Sequence, residues 1–238
     1  LDTMPIRDAA ALIRAEDFRF APVVTSEGTL VGQLNAEDIL SIVRDDADST
    51  LKHLSGVSDD EELFAPILRS AKSRSFWLGI NLLTAFLAAW VIGLFDTTIE
   101  KLVALAVLMP IVASMGGIAG SQTLTLVIRS MALGQLNDKN QRWLLRKEFL
   151  VGMANGVIWA IAIAFVTYLW FGNFLLGIMI GAAIIVNMTC AALAGVIIPL
   201  GLKRIGIDPA LSGSVLLTTV TDVVGFMAFL GFATLFIV

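Results

Sequence analysis

Residues 208–226 read DPALSGSVLLTTVTDVVGF, and they open an apolar stretch that continues to Val238. A helix needs about 20 mainly apolar residues to cross a bilayer, so Pro209–Val238 is predicted to span a membrane. Asp222 lies fourteen residues after Asp208, which is about 20 Å along a helix. The sequence therefore predicts a carboxyl group near the middle of the bilayer, where an ionisable side chain usually faces a pathway or a polar partner.

The composition extends this prediction to most of the chain. Of its 238 residues, 57% are apolar and 15% are charged, whereas a soluble domain carries about 25% charged residues. Four more stretches are long and apolar enough to span: Phe76–Phe95, Leu102–Ile128, Phe149–Gly172 and Phe174–Leu202. The predicted fold is an all-α polytopic membrane protein with five transmembrane helices per protomer, and residues 76–238 form its transmembrane domain.

The basic residues between the spans predict the orientation of the chain. Ten Lys and Arg residues lie directly before the first span or in the segments after the second and fourth spans, whereas the opposite side has Lys101 alone. Lys and Arg are retained on the cytoplasmic side of a membrane. The N-terminus is therefore predicted to be cytoplasmic and the C-terminus extracytoplasmic.

Residues 1–44 are predicted to form a small α/β domain. We expect a helix over residues 5–18, strands at Phe20–Thr25 and Thr29–Leu34 joined by a tight turn, and a second helix from near Ala36. The stretches APVV from Ala21 and GTLVGQLNAEDIL from Gly28 resemble the second half of a CBS domain. The first strand of that repeat would precede Leu1, so a partial CBS domain of a longer protein is expected.

An acid-rich segment, residues 45–75, connects this domain to the first span. Its acids fall in two runs, Asp45, Asp46 and Asp48 and then DDEE at residues 59–62. Crowded carboxylates repel one another, so a fold that brings them together is stabilised by divalent cations. An ordinary solvated face is the other interpretation, and the charge pattern leaves both open.

The fifth span carries oxygen groups that suit a hard cation. Thr218 and Thr219 lie within one turn of Asp222, and carboxylate and hydroxyl oxygens suit Mg²⁺ or similar divalent ions. The alternative is a protonated Asp222 that hydrogen-bonds to a neighbouring helix. Asp208 precedes Pro209, a favourable N-cap followed by a favourable first helical residue. It also suits a cation contact at the cytoplasmic mouth of a pathway.

The second span is interrupted by Pro110 and by the small and polar residues SMGGIAGSQ at 114–122. Small residues let helices pack closely, and they also leave backbone carbonyls facing a cavity. The sequence does not choose between a packing device and a ligand-binding wall.

Polar and small residues in the third and fourth spans predict contacts between helices. Asn155 and Asn187 predict interhelical hydrogen bonds, and the motifs GMANG at 152–156 and GIMIG at 177–181 predict close packing. Glu148 follows two basic residues, which predicts a salt bridge with them or a lateral cation contact.

Several of these motifs together resemble the MgtE family of magnesium transporters, along nearly the whole chain. They are PIVASMGGIAGSQ from Pro110, TLVIRSMALGQ from Thr125, the pair Lys147-Glu148, and the segment from Asp208 to Gly225 that contains DPA and TTVTDVVG. The resemblance implies a homodimer with its pore between the protomers, preceded by CBS domains and a plug helix.

The resemblance also implies the roles of particular residues. Asp222 corresponds to the pore aspartate, which holds a largely hydrated Mg²⁺ at the dimer axis. Asp208 and Ser214 correspond to positions at the cytoplasmic mouth of the pore, together with Gly117 in the second span. The stretch Asp45–Gly56 corresponds to the plug helix, whose acids are expected to bind Mg²⁺ and close the pore when cytoplasmic Mg²⁺ is high.

The predicted function is Mg²⁺ uptake across the cytoplasmic membrane of a prokaryote, with Mg²⁺ as transported ion and as regulatory ligand. Membrane lipid surrounds the dimer, and no nucleic-acid partner is expected. The alternatives are a permease for another divalent cation such as Co²⁺ or Mn²⁺, a structural or sensory membrane anchor, and an intramembrane enzyme. An aspartyl protease would need two apposed acids from different spans, and only Asp222 lies deep in a span, so the chain is not expected to be an enzyme.

Overall fold

A computed structural model of the chain describes residues 1–6, 9, 12–13, 18–58, 61 and 63–237. The side chains of residues 36, 39, 40, 42, 43, 46, 47, 138, 139 and 237 lie outside this description. The chain divides into two compact units, Leu1–His53 and Leu54–Val238, and each is considered by itself.

The first unit contains the predicted hairpin. Strand β1, Phe20–Val24, pairs antiparallel with β2, Leu30–Asn35. The turn between them contains Gly28 at φ 83°, a left-handed conformation that favours glycine. Helix α1, Ala36–Leu54, follows directly, and the Asp38 carboxylate accepts a hydrogen bond from the Asn35 amide at its start. Most of the helix predicted over residues 5–18 lies outside the described residues.

The second unit contains five long helices and one short one. The long helices are α2 (Ile67–Gly93), α4 (Ala104–Ala132), α5 (Asp138–Phe171), α6 (Phe174–Arg204) and α7 (Pro209–Ile237), and the short helix α3 (Asp96–Lys101) lies between α2 and α4. All five long helices have the length and the hydropathy of membrane spans. The predicted fold class, with five spans after a small strand and helix region, is confirmed.

Two of these helices begin well before the predicted apolar stretches. Helix α2 begins at Ile67 rather than Phe76, and α5 begins at Asp138 rather than Phe149. At the start of α5, Asn137 and Asn140 exchange hydrogen bonds between side chain and backbone, 3.0 and 3.1 Å long, which supplies a reciprocal cap. Hydropathy marks the part of a helix within the bilayer, whereas capping groups determine where the helix starts.

Helix α6 lies at the centre of the second unit. Of its most apolar segment, 56% is buried, and α4, α5 and α7 pack around it. Both predicted glycine motifs mediate the packing of α5 on α6: a Cβ atom at Gly152 would lie 2.8 Å from the Ala192 Cβ, and one at Gly177 would lie 2.8 Å from the Ala164 carbonyl oxygen. The packing prediction for these motifs is confirmed.

The outer surfaces of α2 and α5 are apolar and exposed. Their exposed side chains include Phe76, Leu83, Phe86, Trp90, Ile161, Phe165, Leu169 and Trp170. Water-soluble monomers rarely expose continuous apolar surface of this extent, whereas a helix that faces lipid requires it. Asn155 is exposed on α5 as well, and no described residue of the same protomer forms the predicted interhelical hydrogen bond with it.

Candidate functional site

The candidate site begins at the first residue before α7. The Asp208 Oδ1 atom accepts a hydrogen bond of 2.8 Å from the Ala210 amide, and the Asp208 carbonyl accepts one from the Ser212 amide. The N-cap role predicted for Asp208 is confirmed. Its side chain is exposed, so the cap also places a carboxylate at the end of the helix.

Ser214, Thr218 and Asp222 follow at intervals of four residues and lie along one side of α7. All three are half-buried. The Thr218 hydroxyl donates to the carbonyl oxygens of Ser214 and Val215, at 3.2 and 3.0 Å. Because its hydrogen is used within the helix, the Thr218 oxygen is left as an acceptor, which suits a cation or the water around one.

Asp222 has no protein partner among the residues that the structure describes: none forms a hydrogen bond or an ion pair with its carboxyl group. A carboxyl group held by a neighbouring helix was the alternative to a cation site. Within one protomer, the described residues supply no such helix partner.

An open groove of about 720 Å³ lies between α4 and α7. Thr218 lines it from α7. The residues that line it from α4 are Gly117, Ile118, Ser121, Gln122, Thr125 and Leu126. The structure therefore brings Gly117 and the second-span polar residues to the same face as Thr218, and Asp222 lies one helical turn beyond Thr218.

The wall of the groove that α4 forms carries exposed polar side chains among the exposed apolar side chains of Ile118 and Leu126. Ser121, Gln122 and Thr125 are exposed in the protomer, as is Ser114 two turns earlier on the helix. Hydroxyl and amide groups on the surface of a membrane span cost free energy against lipid, because the hydrocarbon offers them no hydrogen bond. This face of α4 therefore requires water or a protein partner.

Glycines determine how closely α4 and α7 approach behind the groove. A Cβ atom at Gly120 on α4 would lie 2.8 Å from the Leu217 side chain, and one at Gly213 on α7 would lie 3.2 Å from the Leu124 side chain. Each helix thus accommodates a leucine of the other beside a glycine. This packing holds the two walls of the groove together.

A buried carboxylate stabilises α4 from the side opposite the groove. Glu148 on α5 is 4% exposed, and it accepts a hydrogen bond of 3.0 Å from the Thr123 hydroxyl. Lys147 forms the predicted salt bridge with it at 2.9 Å. The contact with Thr123 was not predicted, because the sequence does not show which face of α4 meets α5.

One acid of the second acidic run forms an ion pair. The Glu61 carboxylate accepts hydrogen bonds of 3.0 and 2.9 Å from the Nε and Nη2 atoms of Arg74. Glu61 is 8% exposed. The hydrogen bond from Ser70 holds the pKa of Glu61 below its ordinary value, and Arg74 contributes in the same direction. This acid is therefore held against the start of α2.

We expect the Glu61 contact to be lost on acidification. Because the folded-state pKa is lowered, ionised Glu61 stabilises the folded connector above the ordinary carboxyl pKa, and this stabilisation disappears as pH falls through the lowered value. The protection factors of amides in the first turns of α2, which correct for the slower intrinsic exchange at low pH, should fall at acidic pH in the wild type, and in Glu61→Gln they should be low at both pH values. Glu100→Gln, which replaces an exposed acid in α3, is the control, and equal protection in Glu61→Gln and the wild type at neutral pH would contradict the assignment.

The first acidic run lies in α1. Asp45 and Asp48 are exposed, and the side chain of Asp46 lies outside the described residues. Within the described part of the chain, no three His, Cys, Asp or Glu side chains come close enough to hold a metal ion. A cation at these acids would therefore need further ligands from water or from another part of the protein.

Comparison with known proteins decides the family. Residues 109–232 match the MgtE family model, which is described as a divalent cation transporter. The chain belongs to the MgtE family. Residues 2–45 match the CBS domain model, in agreement with the resemblance of the hairpin region. The match to a transporter family also agrees with the prediction that the chain is not an enzyme.

Three curated MgtE proteins, each named a magnesium transporter, are 31% identical to this chain. They come from Bacillus subtilis, Enterococcus faecalis and Thermus thermophilus, and the matches cover 97%, 96% and 96% of the chain. They cover 51%, 50% and 51% of the relatives. The chain thus spans about half the length of the curated relatives it matches.

Proposed function

We propose that this chain forms the pore of a Mg²⁺ transporter, and that the ion passes along the groove between α4 and α7 and past Asp222. The observation that carries the proposal is the half-buried Asp222 in the middle of α7, one turn beyond the groove residue Thr218 and without a protein partner among the described residues. The match to a family of divalent cation transporters supports it.

A second copy of the chain completes the pathway. The polar face of α4 is exposed in one protomer, and the groove is open along this face. Two copies that meet there remove the polar groups of this face from lipid and also bury the exposed apolar side chains of Ile118 and Leu126. A two-fold axis that passes beside Asp222 brings the two Asp222 carboxylates opposite each other, because a symmetric interface uses the same patch twice.

The chemistry of the pathway suits a hydrated divalent ion. Mg²⁺ gives up its water reluctantly and usually retains several water ligands. Two Asp222 carboxylates attract the ion with a combined charge of about −2, and the Thr218 oxygens accept hydrogen bonds from its water shell. The family description names divalent cations in general, so Co²⁺ and Mn²⁺ are the competing substrates.

The membrane potential drives the ion inward through the proposed pore. With the ten basic residues of the segments beside the spans in the cytoplasm, the N-terminal unit is cytoplasmic and the C-terminus is extracytoplasmic. A potential of 100 mV contributes about 2.3 kcal/mol for each elementary charge that crosses, and thus about 4.6 kcal/mol for a divalent ion. Uptake therefore needs no hydrolysis of a nucleotide.

Transport by the purified chain tests the proposed function. Proteoliposomes with an inside-negative potential and a Mg²⁺-sensitive dye inside should take up Mg²⁺, and protein-free liposomes should not. Equal external concentrations of Co²⁺ and Mn²⁺, each assayed alone, give the selectivity. Flux of Co²⁺ or Mn²⁺ without Mg²⁺ would reassign the substrate, and the absence of flux of all three ions would contradict a pore.

The acids Asp45, Asp46 and Asp48 are proposed to sense cytoplasmic Mg²⁺. Three carboxylates within four residues of α1 repel each other, and bound Mg²⁺ relieves this repulsion and favours a closed state. Replacing all three by Asn should abolish the inhibition of flux by millimolar Mg²⁺ on the cytoplasmic side. The charge-matched control is Asp2→Asn, Glu27→Gln and Glu37→Gln in the same unit, and equal inhibition of the two triple variants would contradict the sensor.

A further inference from the structure

A fully buried amide joins three helices close to the proposed pathway. Asn187 in α6 is 0% exposed, and its Nδ2 atom donates a hydrogen bond of 2.8 Å to the Val112 carbonyl oxygen in α4. Its Oδ1 atom is buried and has no hydrogen-bond partner among the described residues. The reverse orientation of the amide would place two acceptor oxygens against each other at Val112, so the donor is the group that faces α4.

Two glycines on different helices make room for this one side chain. A Cβ atom at Gly225 on α7 would lie 2.6 Å from the Asn187 Nδ2 atom, and a Cβ atom at Gly116 on α4 would overlap the same amide. The three heavy atoms that would meet the Gly116 Cβ first all belong to Asn187. The Asn187 amide therefore fills the space between α4, α6 and α7 at this level, together with the Val112 side chain, whose Cγ1 atom would lie 3.1 Å from a Cβ atom at Gly225.

The amide also reinforces a weak point of α4. Pro110 lies inside this helix and has no amide hydrogen, so the carbonyl oxygen of Ala106 loses its helical partner. The hydrogen bond from Asn187 reaches α4 at Val112, half a turn later. This bond does not reach the Ala106 carbonyl, which lies six residues before Val112, but it links α4 to the central helix in the turn that follows the proline.

The same contacts adjoin both walls of the groove. Gly116 immediately precedes Gly117 and Ile118, which line the groove, and Gly225 follows Asp222 by three residues on α7. A change in the size or the hydrogen bonding of residue 187 therefore moves the groove wall and the carboxylate relative to each other.

We propose that Asn187 is a positioning residue that fixes the separation of α4 and α7 beside Asp222 and thereby determines how well the pore distinguishes hydrated Mg²⁺ from other divalent ions. The inference rests on the proposed function. Mg²⁺ demands near-ideal octahedral geometry and retains its water, and a binding site holds such geometry only when its supporting residues fix it to within about 0.5 Å. Gly116 on α4 and Gly225 on α7, which face the Asn187 amide, have no side chains that could fix this geometry.

Asn187→Leu tests the role, because leucine has the same branched arrangement of four side-chain heavy atoms, is larger, and cannot donate to Val112. We expect the ratio of Mg²⁺ flux to Co²⁺ flux to fall by roughly tenfold, a coupling within the range known for residues in direct contact. Thr234→Val is the matched control: it removes another interhelical hydrogen bond of α7, the 2.9 Å contact with Thr98, twelve residues beyond Asp222. Its flux ratio should equal that of the wild type.

A single and a double variant together distinguish a positioning role of Asn187 from a loss of folding. Gly116→Ala should disturb the flux ratio because its methyl group overlaps the Asn187 amide. The double variant Gly116→Ala with Asn187→Ala removes that overlap, and its thermal unfolding temperature should recover toward the wild-type value while its flux ratio stays low. If Asn187→Leu does not fold, this pair decides alone.

The outcomes distinguish the two proposals. A wild-type protein that moves no Mg²⁺ would overturn the proposed function and the positioning role with it. Wild-type Mg²⁺ flux together with an unchanged Mg²⁺ to Co²⁺ ratio in Asn187→Leu, or in the double variant, would overturn the positioning role alone.

Discussion

Asp222→Asn should strongly reduce Mg²⁺ uptake into proteoliposomes while the protein remains folded. Asparagine has nearly the same volume as aspartate and lacks its charge. The substitution therefore removes one negative charge from each of the two copies, in the middle of the pathway that they form. The loss of one member of a close charge pair costs about 2–5 kcal/mol, which corresponds to a flux reduction of roughly thirtyfold or more. Initial rates at a fixed membrane potential measure the effect.

Asp96→Asn is the matched control for this substitution. Asp96 is an exposed carboxylate at the start of α3, where its Oδ1 atom accepts from the Thr97 amide. It lies outside the groove, so its neutralisation should leave the flux near the wild-type rate. Flux of Asp222→Asn that matches the Asp96→Asn rate would contradict a role of Asp222 in the pathway.

The second large effect is expected at Gly117, where a bulky side chain should block the pathway. A Cβ atom at Gly117 meets no atom within 4 Å in the protomer, and Gly117 lines the groove. Gly117→Trp should therefore leave the thermal unfolding temperature of a protomer nearly unchanged and reduce Mg²⁺ flux to the protein-free background. Unfolding and flux are measured on the same preparation.

Gly79→Trp provides the comparison for Gly117→Trp. A Cβ atom at Gly79 would likewise meet no atom within 4 Å, and the residue is exposed on α2, on a helix whose outer surface faces lipid. The same side chain added there should not change the flux. Full flux in Gly117→Trp, with the variant in the membrane, would show that the groove is not part of the pathway.

The spans were predictable because hydropathy is a property of the sequence alone. Phe174–Arg204 and Pro209–Ile237 agree with the predicted stretches within two residues. The early starts of α2 and α5 were not predicted, because basic and polar residues outside the bilayer continue a helix without contributing hydropathy. The reciprocal cap at Asn137 and Asn140 was the sequence signal for the start of α5.

The line of oxygen groups on α7 was predictable from helical spacing, because Ser214, Thr218 and Asp222 belong to one helix. The residues that α4 contacts on other helices were not predictable in this way. Gly116 and Gly117 are adjacent and chemically identical, yet Gly116 packs on Asn187 whereas Gly117 faces the groove. Packing against α6 determines which face of α4 points toward the groove. Because α4 carries similar apolar and small residues on every side, its sequence does not show which face that is.

The interhelical hydrogen bond predicted for Asn187 is confirmed by its contact with Val112, whereas within one protomer Asn155 forms no such bond to a described residue. Both are single amides in apolar spans, and both lie near small residues. The difference is that α6 is central and α5 is peripheral. Whether a helix is central or peripheral depends on how the helices pack together, and the sequence around a single residue does not show it.

Cross-linking across the groove, combined with Mg²⁺ flux, tests the central claim most directly. In a Cys190→Ser background, Ser121→Cys places a thiol on the exposed polar face of α4, and Leu169→Cys places one on the lipid-facing surface of α5. A short bifunctional thiol reagent applied to membranes should yield covalent dimers and a loss of Mg²⁺ flux with Ser121→Cys only. Dimers formed by Leu169→Cys but not by Ser121→Cys, or full flux in cross-linked Ser121→Cys, would contradict a pore between two copies of the chain.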